Sequence, residues 1–226
     1  MIIGYVIFGL VALLSFIVQK SFQSKFKKFS QMALPNGMTG SQVAQMMLAQ
    51  NGINDVNVVH TGGELTDHYN PANKTVNLSD VVYSQPTVAA AAVADHECGH
   101  AVQHATAYAM LGLRSKLVPV VNIASKWMQW ILLAGILLVQ VFPYILLVGI
   151  ILFATTTLFS LVTLPVEINA SARALKWLDH AGITDAYTYP AAKSALKAAA
   201  YTYVVAALTS LATLVYYILI FLARRD

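Results

Sequence analysis

The fold is decided by a run of 39 residues, 128–166, which reads MQWILLAGILLVQVFPYILLVGIILFATTTLFSLVTLPV and contains no charged side chain. A helix rises about 1.5 Å per residue, so a single helix of this length would be much longer than the roughly 30 Å hydrocarbon core of a bilayer. Pro143 interrupts the run near its middle. The run therefore predicts two membrane-spanning helices in a tight hairpin, at roughly 120–141 and 143–164.

Two further stretches are apolar and uncharged, Ile2–Val18 and Ala198–Ala223. Only 11% of the 226 residues are charged, whereas an average soluble protein has about 25%. Lysines follow the first stretch and no clear cleavage site does, which favours a retained anchor over a secretory signal. The chain is predicted to be a mainly α integral membrane protein, with about four transmembrane helices and a small α+β lobe.

The predicted organisation has five parts. They are a first transmembrane helix (1–20), a cytoplasmic lobe (21–118), a transmembrane helix hairpin (119–165), a helix with a connecting segment (166–200), and a last transmembrane helix with a tail (201–226).

The orientation is predicted from the basic residues near the span ends. Four crossings place both termini on one side and the polar segments on the other. The basic residues on the polar side are Lys20, Lys25, Lys27, Lys28, Arg114, Lys116, Lys126, Arg173, Lys176, Lys193 and Lys197. Only Arg224 and Arg225 lie on the opposite side. The positive-inside rule then predicts a multi-pass protein of the inner (plasma) membrane whose lobe faces the cytoplasm.

Local signals give the lobe its predicted elements. Thr39, with Gln42 three residues later, has the pattern of a capping box at the start of an amphipathic helix. Val56–His60 and Lys74–Leu78 alternate in polarity and are interpreted as short strands. The alanine-rich stretch after Thr87 favours a helix, which is therefore expected to lie beside a short sheet.

That alanine-rich helix leads into His96, Glu97 and His100, which form the pattern H-E-x-x-H. Residues four apart lie on one helix face, so both imidazoles can reach one zinc ion at about 2.0–2.1 Å. Glu97 can act as the general base on the water that the zinc activates, and it can then pass the proton to the leaving amine. Two core histidines without such a role would be costly in an apolar helix, so the pattern indicates a zinc peptidase.

A catalytic zinc needs a third protein ligand. His104 lies on the same helix face, but three histidines at 96, 100 and 104 span about 12 Å of helix, too far for one ion. We therefore interpret His104 as a residue that contacts the ligands or the substrate. Glu167 is the better candidate, because a carboxylate directly after a long apolar run is costly unless it is paired. The alternative is an ordinary interface glutamate in the first turn of a new helix that Pro165 helps to start.

Several stretches of this sequence resemble the YugP-type neutral zinc metallopeptidases of bacterial membranes. The stretches are Gly63–Pro71 (GELTDHYNP), Val76–Ser79 (VNLS), His96–Gln103 (HECGHAVQ), Leu164–Ser171 (LPVEINAS), Ala174–Leu175 and Ala198–Tyr217. A more distant likeness connects the chain to the HtpX-type and CAAX prenyl proteases. The resemblance implies a gluzincin-like lobe, with His96, His100 and Glu167 as ligands of one catalytic Zn²⁺ and Glu97 as the base.

The segment around Glu167 departs from the pattern of these relatives. Ser171 and Asn169 stand where aspartates are expected, which makes both residues candidates for contacts that orient the histidines. In this interpretation Lys74–Leu78 is either the edge that pairs with an extended substrate or a plain structural strand. His68 and Tyr69 are either donors to the oxyanion or substrate, or packing residues of a loop.

The predicted function is thus a membrane-bound zinc metalloendopeptidase that hydrolyses peptides or membrane proteins. Its expected partners are a protein substrate and the lipid bilayer. Nucleic acid is not expected, because the basic residues flank apolar runs. The alternative is a non-catalytic zinc-binding scaffold or chaperone, and the presence of Glu97 favours the enzyme. A metal transporter is disfavoured, because 2–18, 128–166 and 198–223 contain no charged residue or histidine.

Overall fold

This computed structural model describes residues 2–223 of the chain, with side chains from Phe8 onward; Arg224 and Arg225 lie outside the described residues. In chain order the elements are α1 (Ile2–Phe29), α2 (Gly40–Gln50), β1 (Asn57–Thr61), β2 (His68–Asn70), β3 (Thr75–Ser79), α3 (Asp80–Ser84), α4 (Val88–Ala105), α5 (Ala109–Leu137), α6 (Pro143–His180) and α7 (Thr188–Ala223). The protein is mainly helical with one small sheet, as predicted.

Three described helices, α5, α6 and α7, are long and apolar enough to cross a membrane. Helix α1 is continuous from Ile2 to Phe29, and the crossing expected at Ile2–Val18 stays a prediction. Pro143 begins α6, as the hairpin requires. The expectation of a new helix at Pro165 is wrong, because α6 runs through Pro165 to His180. Glu167 therefore lies inside a long helix and not at an exposed helix start.

The chain divides into two compact units, and the first is apolar. It comprises the described parts of Met1–Ile17, Gly112–Pro165 and Tyr203–Asp226. Leu132 of α5 and Leu146 and Ile150 of α6 form its buried centre. A Cβ on Gly135 would lie 2.5 Å from Cα of Leu146, so only glycine permits this close approach of α5 to α6.

The second unit, Val18–Leu111 with Val166–Thr202, is the lobe, and α4 lies at its centre. One side of α4 packs with α2 and the sheet, through Ala94, Cys98 and Ala101. Another side packs with α6 and α7, through Ala91 and Ala92. Small side chains on α4 allow neighbouring elements to approach it closely from both sides.

The predicted local signals of the lobe are confirmed. Thr39 caps α2 and forms the reciprocal capping box with Gln42. The two predicted strands form within one residue of their expected bounds, as β1 and β3. The strand order is β1-β3-β2, with β3 parallel to β1 and antiparallel to β2. The interpretation of Lys74–Leu78 as a free edge is therefore wrong, since β3 is the central strand and β1 and β2 are the two edges.

Candidate metal centre and active site

Two histidines of α4 form one side of the candidate site. Thr87 caps this helix by accepting a hydrogen bond from the N–H of Ala90, with 3.3 Å between Oγ1 and N. His96 and His100 follow one turn apart, and their ring centroids are 4.9 Å apart in an edge-to-face arrangement. The imidazoles thus converge without stacking.

Glu167 of α6 supplies the other side of the site. Its Oε2 lies 3.1 Å from Nε2 of His96 and 3.6 Å from Nε2 of His100. The ligand atoms of these three residues all lie within 4.8 Å of one another, and no other such group of three potential ligands occurs among the described residues. Two imidazole nitrogens and one carboxylate oxygen are the donor set of a catalytic zinc site, so the residues present fit zinc.

Gly99 explains how α6 comes so close to α4. A Cβ at this position would lie 2.6 Å from the carbonyl oxygen of Ala170, closer than real Cβ atoms come to such an oxygen. Only glycine therefore allows the backbone of α6 to pass directly over α4 at this turn. Ala170 is one turn after Glu167, so the same close approach carries the carboxylate to the two histidines.

The second nitrogen of each ring has its own partner. Ser171 Oγ lies 3.0 Å from Nδ1 of His96, and Gln103 Oε1 lies 3.0 Å from Nδ1 of His100. A carbonyl oxygen can only accept, so Nδ1 of His100 carries the proton that it donates to Gln103. This leaves the Nε2 lone pair of His100 directed at the centre, which is the tautomer that a metal requires.

Gln103 was not singled out from the sequence, although it joins both helices of the site. Its side chain is fully buried, and its Nε2 donates to the Val166 carbonyl oxygen at 2.8 Å and to Asn169 Oδ1 at 2.9 Å. Asn169 Oδ1 also accepts from Nε of Arg173 at 2.8 Å. The spacing H-x-x-Q, which places Gln103 on the same helix face as His100, was the available signal. Asn169 thus acts on His100 through Gln103.

Glu97 is half-buried beside the first histidine. Its Oε2 accepts a hydrogen bond from the backbone N–H of Tyr69, with 3.0 Å between the two heavy atoms. Tyr69 lies on the edge strand β2, so this bond connects the candidate base to the sheet.

The side chains of Tyr69, His104 and His68 lie outside the group of metal-ligand atoms. The hydroxyl of Tyr69 lies 2.7 Å from Nδ1 of His104. His104 is exposed and lies outside the group of three convergent ligands. Nδ1 of His68 bonds to the carbonyl oxygen of Thr66 at 2.7 Å. Because successive strand residues face opposite sides of a sheet, the side chain of His68 points away from the face on which Tyr69 meets α4.

Burial and neighbouring groups act in opposite directions on His100. Burial lowers its pKa, whereas hydrogen bonds to Glu167 and Gln103 and the charges of Glu167 and Glu97 raise it. The result is a pKa above the ordinary value, so protons compete with a metal for this ligand near neutral pH.

Asp95 precedes His96 and also went unnoticed in the sequence. It is fully buried, and neither carboxyl oxygen has a hydrogen-bond partner among the described residues. Burial raises the pKa of this carboxyl well above its usual range. The protonated, uncharged form is therefore the form that this environment favours.

Comparison with known proteins gives two matches. The family model described as "Putative neutral zinc metallopeptidase" matches residues 4–222. The "Putative membrane protease YugP" of Bacillus subtilis (strain 168) is 43% identical over 213 residues, which cover 94% of this chain and 94% of that protein. No solved structure matches the chain significantly.

Proposed function

Because this chain belongs to the neutral zinc metallopeptidase family, we propose that it is a membrane-bound endopeptidase with one catalytic zinc ion held by His96, His100 and Glu167. The observation that carries the proposal is the convergence of these three ligand atoms within 4.8 Å, with Glu97 next to His96 in the sequence. Its substrates are peptides or membrane proteins.

A zinc ion at this centre would polarise the scissile carbonyl and lower the pKa of water to about 7. The residues of the chain perform the other steps. Glu97 takes the proton of the attacking water and delivers it to the nitrogen of the leaving amine, so the base becomes the acid. The backbone N–H of Tyr69 donates a hydrogen bond to Oε2 of Glu97 and so keeps the carboxylate in place during these proton transfers.

The edge strand β2 is the element that presents substrate in this proposal. Tyr69 is paired with Val76 of β3, yet its N–H points to Glu97 and so away from β3. In an antiparallel ladder the N–H and C=O of one residue point to the same side. The Tyr69 carbonyl therefore faces the open edge, where it accepts a hydrogen bond from an extended substrate backbone.

We propose the inner membrane as the site of action, with the lobe in the cytoplasm. The three apolar helices and the membrane protease relative support a membrane protein, and the distribution of basic residues supports the orientation. A reporter fused to the C-terminus should be active outside the cytoplasm. A cytoplasmic signal there would reverse the orientation.

The experiment that tests the function is a cleavage assay on the purified full chain in detergent micelles, combined with zinc analysis. Glu97→Gln should retain one zinc per chain and lose about 10²–10⁴-fold in cleavage rate, the contribution of a general base. Glu167→Ala should lose zinc and cleavage together. Glu64→Gln, in an exposed loop, is the matched control and should behave as wild type.

Two results would contradict this assignment. Full zinc content in Glu167→Ala would exclude the third ligand. Zinc binding without cleavage of any peptide or membrane protein, with no difference between wild type and Glu97→Gln, would favour a non-catalytic scaffold or chaperone.

A further inference from the structure

Strand β2, the edge that carries Tyr69, is weakly held by the sheet alone. It has three residues, His68–Asn70, and pairs only with β3. A strand this short has few ladder hydrogen bonds, so its position over α4 depends on side-chain anchors.

Tyr69 anchors β2 to α4 at two points, which lie two helical turns apart. Its backbone N–H contacts Glu97, and its hydroxyl contacts His104. These two residues are seven apart and therefore lie on the same helix face, about 10.5 Å apart along the axis. Between them the ring of Tyr69 packs against the buried cluster that includes Ala101.

The contact with His104 is a hydrogen bond between a protonated phenol and an imidazole nitrogen. Burial, with a smaller contribution from Asp55, raises the pKa of the Tyr69 phenol, which therefore keeps its proton. The phenol oxygen lies 2.7 Å from Nδ1 of His104, and the two ring centroids lie 5.9 Å apart. His104 is thus a hydrogen-bond partner for the side chain of the strand residue Tyr69.

We infer that His104 is a positioning residue for the proposed peptidase, which acts through Tyr69 to hold Glu97 in its working conformation. A glutamate on a half-buried helix face has several accessible rotamers. The Tyr69 N–H selects one of them, and it can do so only while β2 keeps its place along α4. The hydroxyl–imidazole bond fixes that place. This inference rests on the proposed function and adds a residue outside the group of three convergent ligands.

The test is steady-state cleavage of a peptide that the wild-type protein hydrolyses, with zinc content measured for every variant. His104→Leu and Tyr69→Phe should each lower kcat about tenfold, a part of what the base contributes, and should keep full zinc. Because β2 also presents the substrate in the proposed function, kcat/KM should fall by at least as much. His104→Asn should restore most of kcat, because its amide oxygen occupies nearly the position of Nδ1. The double variant Tyr69→Phe/His104→Leu should be no slower than either single variant.

The control is His180→Leu, which replaces an exposed histidine whose Nδ1 bonds to the carbonyl oxygen of Lys176, and it should keep the wild-type kcat. A wild-type kcat in His104→Leu overturns the inference. So does an asparagine variant no better than leucine, or losses that multiply in the double variant. Failure of the proposed function is a different result, in which wild type and Glu97→Gln are equally inactive, and the inference then falls with it.

Discussion

Replacing Gln103 with leucine should weaken zinc binding although this residue is not a ligand. The substitution nearly conserves volume at a fully buried position. It removes one acceptor, for the N–H of His100, and two donors, for the Val166 carbonyl oxygen and Asn169. The three lost contacts are not equally costly.

The largest cost falls on His100. Val166 lies inside α6, where its carbonyl oxygen can still accept the helical N–H four residues later, and Asn169 keeps its bond from Arg173. The N–H of His100 would remain buried without an acceptor, which costs about 1–3 kcal/mol. In the zinc-free protein the proton can move to the other ring nitrogen, so this cost is paid mainly by the zinc-bound protein.

A cost of about 1–3 kcal/mol corresponds to about 5- to 140-fold weaker zinc binding, at about 1.4 kcal/mol per tenfold. The loss usually seen when the partner of a ligating histidine is removed, about 10–100-fold, falls inside this range. The assay is competition for zinc against a chromophoric chelator at fixed pH. Gln45→Leu, at an exposed position of α2, is the matched control and should bind zinc as wild type does. Wild-type affinity in Gln103→Leu would refute the argument that this amide sets the tautomer of His100.

Two further predictions concern the buried groups beside the motif. Asp95→Ala should stabilise the protein by about 1–3 kcal/mol at neutral pH, because it removes a buried carboxyl without a partner. The pKa of Asp95 is raised in the folded state, so this carboxyl destabilises the folded protein least below the unfolded pKa of about 3.9. Its cost to folding increases as the pH rises above that value. The gain in the variant, measured by denaturant unfolding in micelles, should therefore grow from pH 4 upward, and an equal gain at pH 4 and pH 7 would contradict it. Burial raises the pKa of the Cys98 thiol well above its usual range, so iodoacetamide should modify the folded protein far more slowly than the unfolded one. Equal rates in the two states, measured by mass spectrometry, would contradict the buried, protonated thiol.

Sequence reasoning succeeded where the signal is local. The capping box at Thr39 involves residues three apart, and the strands β1 and β3 are each visible as alternation within five residues. Pro143 marks a helix start because a proline needs no N–H partner in the first turn. The same reasoning failed at Pro165, since packing against neighbours can hold a long helix together through a proline and the residue alone does not reveal such packing.

The order of the sheet is a second case of this limit. Polarity alternation identified β3 as a strand but could not show which neighbours it would have. The three-residue strand β2 carries almost no periodic signal of its own. Because β2 and β1 both pair with β3, the strand Lys74–Leu78 is central, and Tyr69 lies on one of the two edges.

The sequence by itself determined the apolar helices, the helical spacing of His96 and His100, and the position of Glu97 next to His96. Each of these depends only on residues that are close together in the chain. Only the tertiary structure decided that Glu167 reaches both rings, that Gln103 and Ser171 orient them, and that Tyr69 holds Glu97. The reason is that these contacts join residues from 28 to 75 positions apart on different elements, apart from that of Gln103 with its own helix neighbour His100. Such distances are set by how closely two backbones approach, and here by the missing side chain of Gly99 against Ala170.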